Sequence, residues 1–197
     1  MPEIILKRIK TLKKNYKFLV FFGITFIVGV VLGIITFKRG AGNEFFYETV
    51  FNYFYNIFSP SVNPLHVFFK RIFIDLGYIA VFFLLGLSIY AFPIEYIIVF
   101  YRGMVIGCVS CIFFSCYSFY GLFLFIAVTL PQNLIVFAGL ACLGVLNFDV
   151  GMNKTCKKTV FMDYLINAAF GYVICIFGAI YEMALLLLII RPLNFYL

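Results

Sequence analysis

Charged residues are scarce in this sequence: aspartate, glutamate, lysine and arginine together make up 12% of its 197 residues. Soluble globular domains carry about 25%. Hydrophobic residues make up 65%, and the 28 phenylalanines and 14 tyrosines are more than a soluble core of this length can hold. The composition therefore excludes a soluble domain and indicates an integral membrane protein. The apolar runs are continuous rather than alternating, which excludes a transmembrane β-barrel.

Catalytic and metal-binding motifs are also missing. The sequence has no Gly-x-Ser-x-Gly, no His-Glu-x-x-His, no phosphate loop and no intramembrane Asp pair or Ser/His dyad. Its one histidine, His66, stands alone, and Cys108, Cys111 and Cys116 have no His or carboxylate at ligand spacing. We therefore expect no enzyme activity, no metal and no cofactor. The net charge of +7 comes mainly from basic residues that flank apolar runs, so membrane topology explains it better than nucleic-acid binding does.

Five apolar runs are long enough to cross a bilayer, which takes about 20 residues. They are Phe18–Phe37, Ile72–Phe92, Ile94–Tyr117, Phe119–Leu146 and Tyr164–Ile190. The sequence thus predicts an all-α integral membrane protein, a five-transmembrane-helix bundle that forms a single domain over residues 18–197.

Basic residues are distributed unevenly between the two sides that five crossings create. One side receives nine, namely Lys7, Arg8, Lys10, Lys13, Lys14, Lys17, Lys154, Lys157 and Lys158. The other side receives five, namely Lys38, Arg39, Lys70, Arg71 and Arg191. Because basic residues accumulate on the cytoplasmic side, we expect a cytoplasmic N-terminus and an extracytoplasmic C-terminus.

The fourth run contains Pro131, Gln132 and Asn133 in succession. Proline removes a backbone N–H, and hydrocarbon offers the two amides no partner. A straight helix over this run would measure about 42 Å, longer than the ~30 Å hydrocarbon core. The sequence therefore predicts a fourth helix interrupted at Pro131, with the carbonyl of Ala127 left free for another partner. The interruption is interpreted either as a packing bend or as part of a binding site.

Two segments lie outside the predicted spans. Residues 1–17 place Ile5, Ile9, Leu12 and Tyr16 on one helical face among lysines, which is typical of an amphipathic helix on anionic lipid or of a simple charged flank.

The external loop 38–71 is rich in aromatic residues, with Tyr47, Phe51, Phe54 and Phe58 at helical spacing. This loop is interpreted either as a helix in the outer headgroup layer or as a docking surface for another membrane or envelope protein.

Four ionisable residues lie in or beside the predicted spans: Asp75, Glu95, Arg102 and Glu182. Each needs a partner or access to water. Asp75 is expected to pair with Arg71 at the outer surface, four residues before it. Arg102 is expected to extend toward Glu95 and cytoplasmic water, with a working site as the alternative. Glu182 is assigned to the outer half, within reach of Lys70 or Arg71, as either a structural pair or a functional site.

Two glycine pairs at a spacing of four residues mark sites of close helix packing. They are Gly29 with Gly33 in the first run and Gly103 with Gly107 in the third. Such spacing lets helix backbones approach closely. Packing within the bundle is favoured over homodimerisation.

Three stretches resemble the stage II sporulation protein M family: "LLGLSIYAFPI" (residues 84–94), "YRGMVIG" (101–107) and "LPQNLIVF" (130–137). The layout is similar too, with a basic N-terminus, an external loop after the first span and a very short turn at Phe92 and Pro93. Arg102 departs from the family's lysine but keeps the charge.

The resemblance implies a non-catalytic role in the bacterial cell membrane. The family's sporulation protein anchors a peptidoglycan-degrading complex, which contains stage II sporulation proteins D and P, during engulfment. By this resemblance we expect a scaffold for envelope hydrolases. The alternative, from the interrupted fourth helix beside Glu182 and Arg102, is a permease-like subunit of a small-molecule transporter.

Overall fold

A computed structural model describes residues 2–40, 63–88, 92–153 and 157–185, together with positions 48, 90 and 187. Within these residues the regular structure is helical. The elements are α1 (Pro2–Lys14), α2 (Tyr16–Gly40), α3 (Pro64–Gly86), α4 (Phe92–Leu124), a π-helical turn (Phe125–Thr129), α5 (Leu130–Asn153) and α6 (Lys157–Leu185).

Four helical stretches of the described residues are long and apolar enough to cross a membrane: Tyr16–Arg39, Phe92–Ser115, Ser118–Met152 and Phe161–Leu185. Helix α3 has 23 residues but carries Lys70, Arg71 and Asp75 within its length. The predicted all-helical membrane architecture is confirmed at this level. The count of five spans is not confirmed.

Helix α3 begins eight residues before its predicted start at Ile72, because Asn63 and Pro64 start the helix. The side chain of Asn63 accepts a hydrogen bond from the backbone N–H of Leu65 at 3.1 Å, and Pro64 occupies the first helical position, where no N–H is needed. The helix also ends earlier than predicted, at Gly86, so Phe92 and Pro93 belong to the start of α4 rather than to a turn. Asp75 consequently lies 11 residues from either end of α3, not at its margin.

Helices α2 and α4 pack backbone against backbone through the glycine pairs. A Cβ on Gly33 would overlap the carbonyl oxygen of Met104, and one on Gly107 would overlap that of Val30. A Cβ on Gly29 would overlap the carbonyl oxygen of Phe100 and would lie 3.2 Å from the Cα of Gly103. The two glycine pairs therefore face each other within one chain, the arrangement that their spacing favours.

The backbone leaves helical geometry inside α4 at Ser118, where φ is 53° and ψ is −130°. This is the boundary between the third and fourth predicted runs. The rings of Phe113 and Phe125 lie 6.2 Å apart across it, so the helical stretches on either side pack against each other. The left-handed φ is costly for a residue with a Cβ.

Aromatic rings gather at one end of the bundle, which we call the α1 end. The ring of Phe148 lies 4.6 Å from that of Phe18 and 4.4 Å from that of Phe92. The starts of α2 and α4 and the end of α5 therefore meet there. Phe83 and Phe161, at 5.8 Å, bring the end of α3 and the start of α6 to the same end.

Helix α1 packs against α5 and turns a basic residue inward. Arg8 is 8% exposed, and its Nε donates to Oδ1 of Asn167 at 2.9 Å. Ile9 and Tyr16, two of the residues expected to form one apolar face, are exposed, whereas Leu12 is partly buried against the core. The contact of Arg8 with Asn167 fixes which side of α1 faces the bundle, and the amphipathic role of residues 1–17 stays a prediction.

Candidate functional site

A buried ion pair joins α3 and α4 near the middle of both helices. The side chain of Asp75 is 2% exposed, and its Oδ1 accepts from a terminal nitrogen of Arg102 at 3.0 Å. The Arg102 guanidinium also lies over the ring of Tyr78, 4.2 Å from its centroid. Such a cation–π contact adds to the stabilisation of the buried cation.

Arg71 extends this pair toward α5 and α6. Its Nε lies 3.4 Å from Oδ2 of Asp75, one helical turn away, and 3.9 Å from Oε2 of Glu182. A terminal nitrogen of Arg71 donates to Oδ1 of Asn133 at 3.3 Å. The predicted Arg71–Asp75 pair therefore forms, and Arg71 also reaches Glu182, as expected.

The amides after Pro131 complete the cluster. Gln132, 3% exposed, donates from Nε2 to Oε2 of Glu182 at 2.6 Å. Asn133 donates from Nδ2 to the carbonyl of Thr129 at 2.8 Å, inside the preceding π-helical turn. We call Arg71, Asp75, Arg102, Gln132, Asn133 and Glu182 the interhelical ion cluster.

Pro131 acts on the backbone beside this cluster. It has no N–H to donate to the carbonyl of Ala127, and the hydroxyl of Tyr181 donates to that carbonyl at 2.9 Å. The helical hydrogen-bonding pattern widens to a π-helical turn at Phe125–Thr129 and resumes at Leu130. An interrupted fourth helix is not confirmed. The carbonyl of Ala127 nevertheless has a partner on another helix, as the proline predicts.

The interhelical ion cluster connects four helices through two cations and two anions, whose formal charges cancel. Each helix contributes a group that hydrocarbon alone would not accept. Within the described residues no group of three His, Cys, Asp or Glu side chains is placed to hold a metal ion. The arrangement is suited to holding helices at fixed separations, or to exchanging one internal partner for a polar ligand.

The expected approach of Arg102 to Glu95 is wrong. Arg102 pairs with Asp75 instead, because the early start of α3 places that carboxylate beside the middle of α4. Glu95 is 1% exposed and lies against Gly144, where a Cβ would stand 2.6 Å from its Oε2. That oxygen has no hydrogen-bond partner among the described residues.

A second polar group was missed by reasoning from the sequence. At the α1 end, Arg8 bonds Asn167, the Nδ2 of Asn167 lies 3.5 Å from Oδ1 of Asn147, and Asn147 donates to the carbonyl of Phe82 at 3.4 Å. Burial lowers the pKa of Arg8 below its ordinary value. The available signal was two asparagines inside otherwise apolar runs, since such amides bond across membrane helices.

The aromatic residues of the external loop, Tyr47, Phe51, Phe54 and Phe58, lie outside the described residues. Their assignment to a docking surface stays a prediction.

Comparison with known proteins gives one match. The family model for stage II sporulation protein M covers residues 20–189 of this chain. No curated protein and no solved structure matches it. The family match includes α3 to α6 in full and α2 from its fifth residue onward, and the chain therefore belongs to the stage II sporulation protein M family.

Proposed function

We propose that this protein is a non-catalytic membrane scaffold that positions peptidoglycan hydrolases at the outer face of the bacterial cell membrane. Membership of the stage II sporulation protein M family points to a sporulation-related membrane protein. The observation that carries the proposal is the interhelical ion cluster, in which Asp75 pairs with Arg102 of α4 and Arg71 lies near Glu182 of α6. Contacts of this kind hold the ends of the helices in fixed positions. Helix ends in fixed positions can form a docking surface of constant shape.

The proposal includes α3 as a fifth span, with the N-terminus in the cytoplasm and the C-terminus outside. The ring contacts at the α1 end support it, because they make successive long helices run in alternating directions. The charges of α3 are also accommodated. Asp75 and Arg71 are paired inside the bundle, and Lys70 is exposed six residues from the helix start.

Partner recruitment tests the scaffold directly. We expect the double variant Phe51→Ser/Phe54→Ser to lose most co-purification of envelope hydrolases of the stage II sporulation D and P type, while its membrane level stays normal. The matched control is Phe69→Ser/Phe73→Ser, which makes the same change at two exposed positions of α3 (54% and 70% exposed). Equal recruitment by both variants and the parent protein would refute the role of the loop.

A transport component is the second candidate, and one observation favours it. The side chains of Arg71 and Glu182 are 18% and 17% exposed, so this pair beside the π-helical turn is more accessible than Asp75. Irregular helices with partly accessible charges line substrate sites in transporters. We expect Asn133→Leu, at normal membrane level, to reduce hydrolase recruitment if the scaffold is right and to reduce solute flux if the transporter is right.

A further inference from the structure

We infer that the face of α1 turned away from the bundle is a docking surface for anionic lipid headgroups. A single residue, Asn15, separates α1 from α2, whose candidate span begins at Tyr16. The C-terminal end of α1 therefore lies at the boundary between water and the apolar layer.

Two contacts hold α1 against the bundle at that level. The Nδ2 of Asn15 donates to Oδ1 of Asp149 at 3.0 Å, near the end of α5. Seven residues earlier, Arg8 bonds Asn167, which lies six residues inside the candidate span that begins at Phe161. Helix α1 is thus fixed along its length beside the membrane surface instead of projecting freely into water.

The outward face of α1 combines apolar and basic side chains. At 3.6 residues per turn, Ile9 lies on one flank, Lys10 and Lys14 lie on the other, and Lys13 and Leu6 lie between them. Leu6 is 56% and Ile9 is 44% exposed, and the three lysines are exposed as well. Arg8 lies on the opposite side of the helix, where it contacts Asn167 of the bundle.

This combination fits an anionic lipid surface. Apolar side chains of an interfacial helix enter the boundary between headgroups and acyl chains, and adjacent lysines contact the phosphates. Each lysine near an anionic surface strengthens binding by about fivefold. The opposite end of α2 carries Lys38 and Arg39, which are also exposed but stand at the end of a candidate span and serve as a control.

Depth measurement provides the first test. The chain contains no tryptophan, so a single introduced tryptophan reports on its own position in the full-length protein. In vesicles that contain phosphatidylglycerol and brominated phosphatidylcholine, we expect Ile9→Trp to be strongly quenched and Lys14→Trp, on the other flank, to be much less quenched. Equal quenching at both positions, or none at Ile9→Trp, would overturn the orientation proposed here and would favour a protein partner for this face.

Lipid retention provides the second test. We expect the triple variant Lys10→Gln/Lys13→Gln/Lys14→Gln to bind phosphatidylglycerol at least tenfold more weakly than the parent protein in native mass spectrometry. Lys38→Gln/Arg39→Gln removes two exposed charges at the other end of α2 and should bind as the parent does. All five side chains are exposed, so the variants should retain the fold. An unchanged affinity in the triple variant would refute the proposal.

Discussion

At the scale of single residues, the pairing of Asp75 with Arg102 is the main interaction between buried charges on different helices. A charge near the bilayer centre costs about 2.5–3.5 kcal/mol on insertion scales. The two side chains, 2% and 11% exposed, satisfy each other across two helices. Such a pair contributes little net stability compared with apolar residues, but removing Asp75 leaves Arg102 without its anion, and removing Arg102 leaves Asp75 with Arg71 alone.

Single and double substitutions separate these effects. We expect Asp75→Leu and Arg102→Met each to reduce the free energy of unfolding by about 3–5 kcal/mol. The double variant should lose clearly less than the sum of the two losses, because no orphaned charge remains. A thiol-reactive dye can follow unfolding in detergent, since Cys175 is 1% exposed in the folded protein.

The matched control is Lys70→Met, which removes an exposed charge from the same helix. It should change the free energy of unfolding by less than about 0.5 kcal/mol. Strict additivity of the Asp75 and Arg102 losses would show that the two side chains do not interact in the membrane-embedded protein.

At the scale of helices, α2 and α4 depend on the absence of side chains where they meet. The carbonyl oxygens of Val30 and Met104 occupy the space that a Cβ on Gly107 or Gly33 would take. Backbone carbonyls cannot move aside as the end of a flexible side chain can. The helices therefore tolerate no methyl group there without separating.

Alanine substitution at two positions of α2 measures this constraint. We expect Gly33→Ala to lower the free energy of unfolding by about 1–3 kcal/mol through overpacking. Gly23→Ala, in the same helix, has no atom within 4 Å of the new Cβ and should be neutral or slightly stabilising. Similar effects of both substitutions would contradict the described contact between α2 and α4.

Hydropathy predicted an all-helical membrane protein, glycine spacing predicted close helix packing, and the resemblance of three stretches indicated the family, but none of these predicted the connections within the interhelical ion cluster. Arg102, Gln132, Asn133 and Glu182 stand out in the sequence as polar groups in apolar runs. The partner of Arg102 cannot be recognised in the sequence, because the position of Asp75 in α3 depends on where that helix begins. A start eight residues earlier than predicted places Asp75 about 12 Å further along the helix. Arg8 resembles its basic neighbours, and only the fold brings it to Asn167, 159 residues away.

At the scale of the whole molecule, the number of crossings determines which surfaces face the cytoplasm. With α3 as a span, the number is odd. We expect a reporter fused to the N-terminus to be active only in the cytoplasm, and one fused to the C-terminus only outside. Fusions after residue 87, where α3 has just ended, should report the cytoplasm. If both termini report the same side, the number of crossings is even, and the proposed odd number with α3 as a span is wrong.

The order of residues in the interhelical ion cluster also has a consequence for biogenesis. A growing chain delivers Asp75 to the insertion machinery 27 residues ahead of Arg102, a delay of roughly 1–5 s at common translation rates. Arg71 leaves the ribosome just before Asp75 and can neutralise it one helical turn away. Helix α3 thus brings its own first counter-ion, and the second partner of Asp75 arrives with the next hydrophobic segment of the nascent chain.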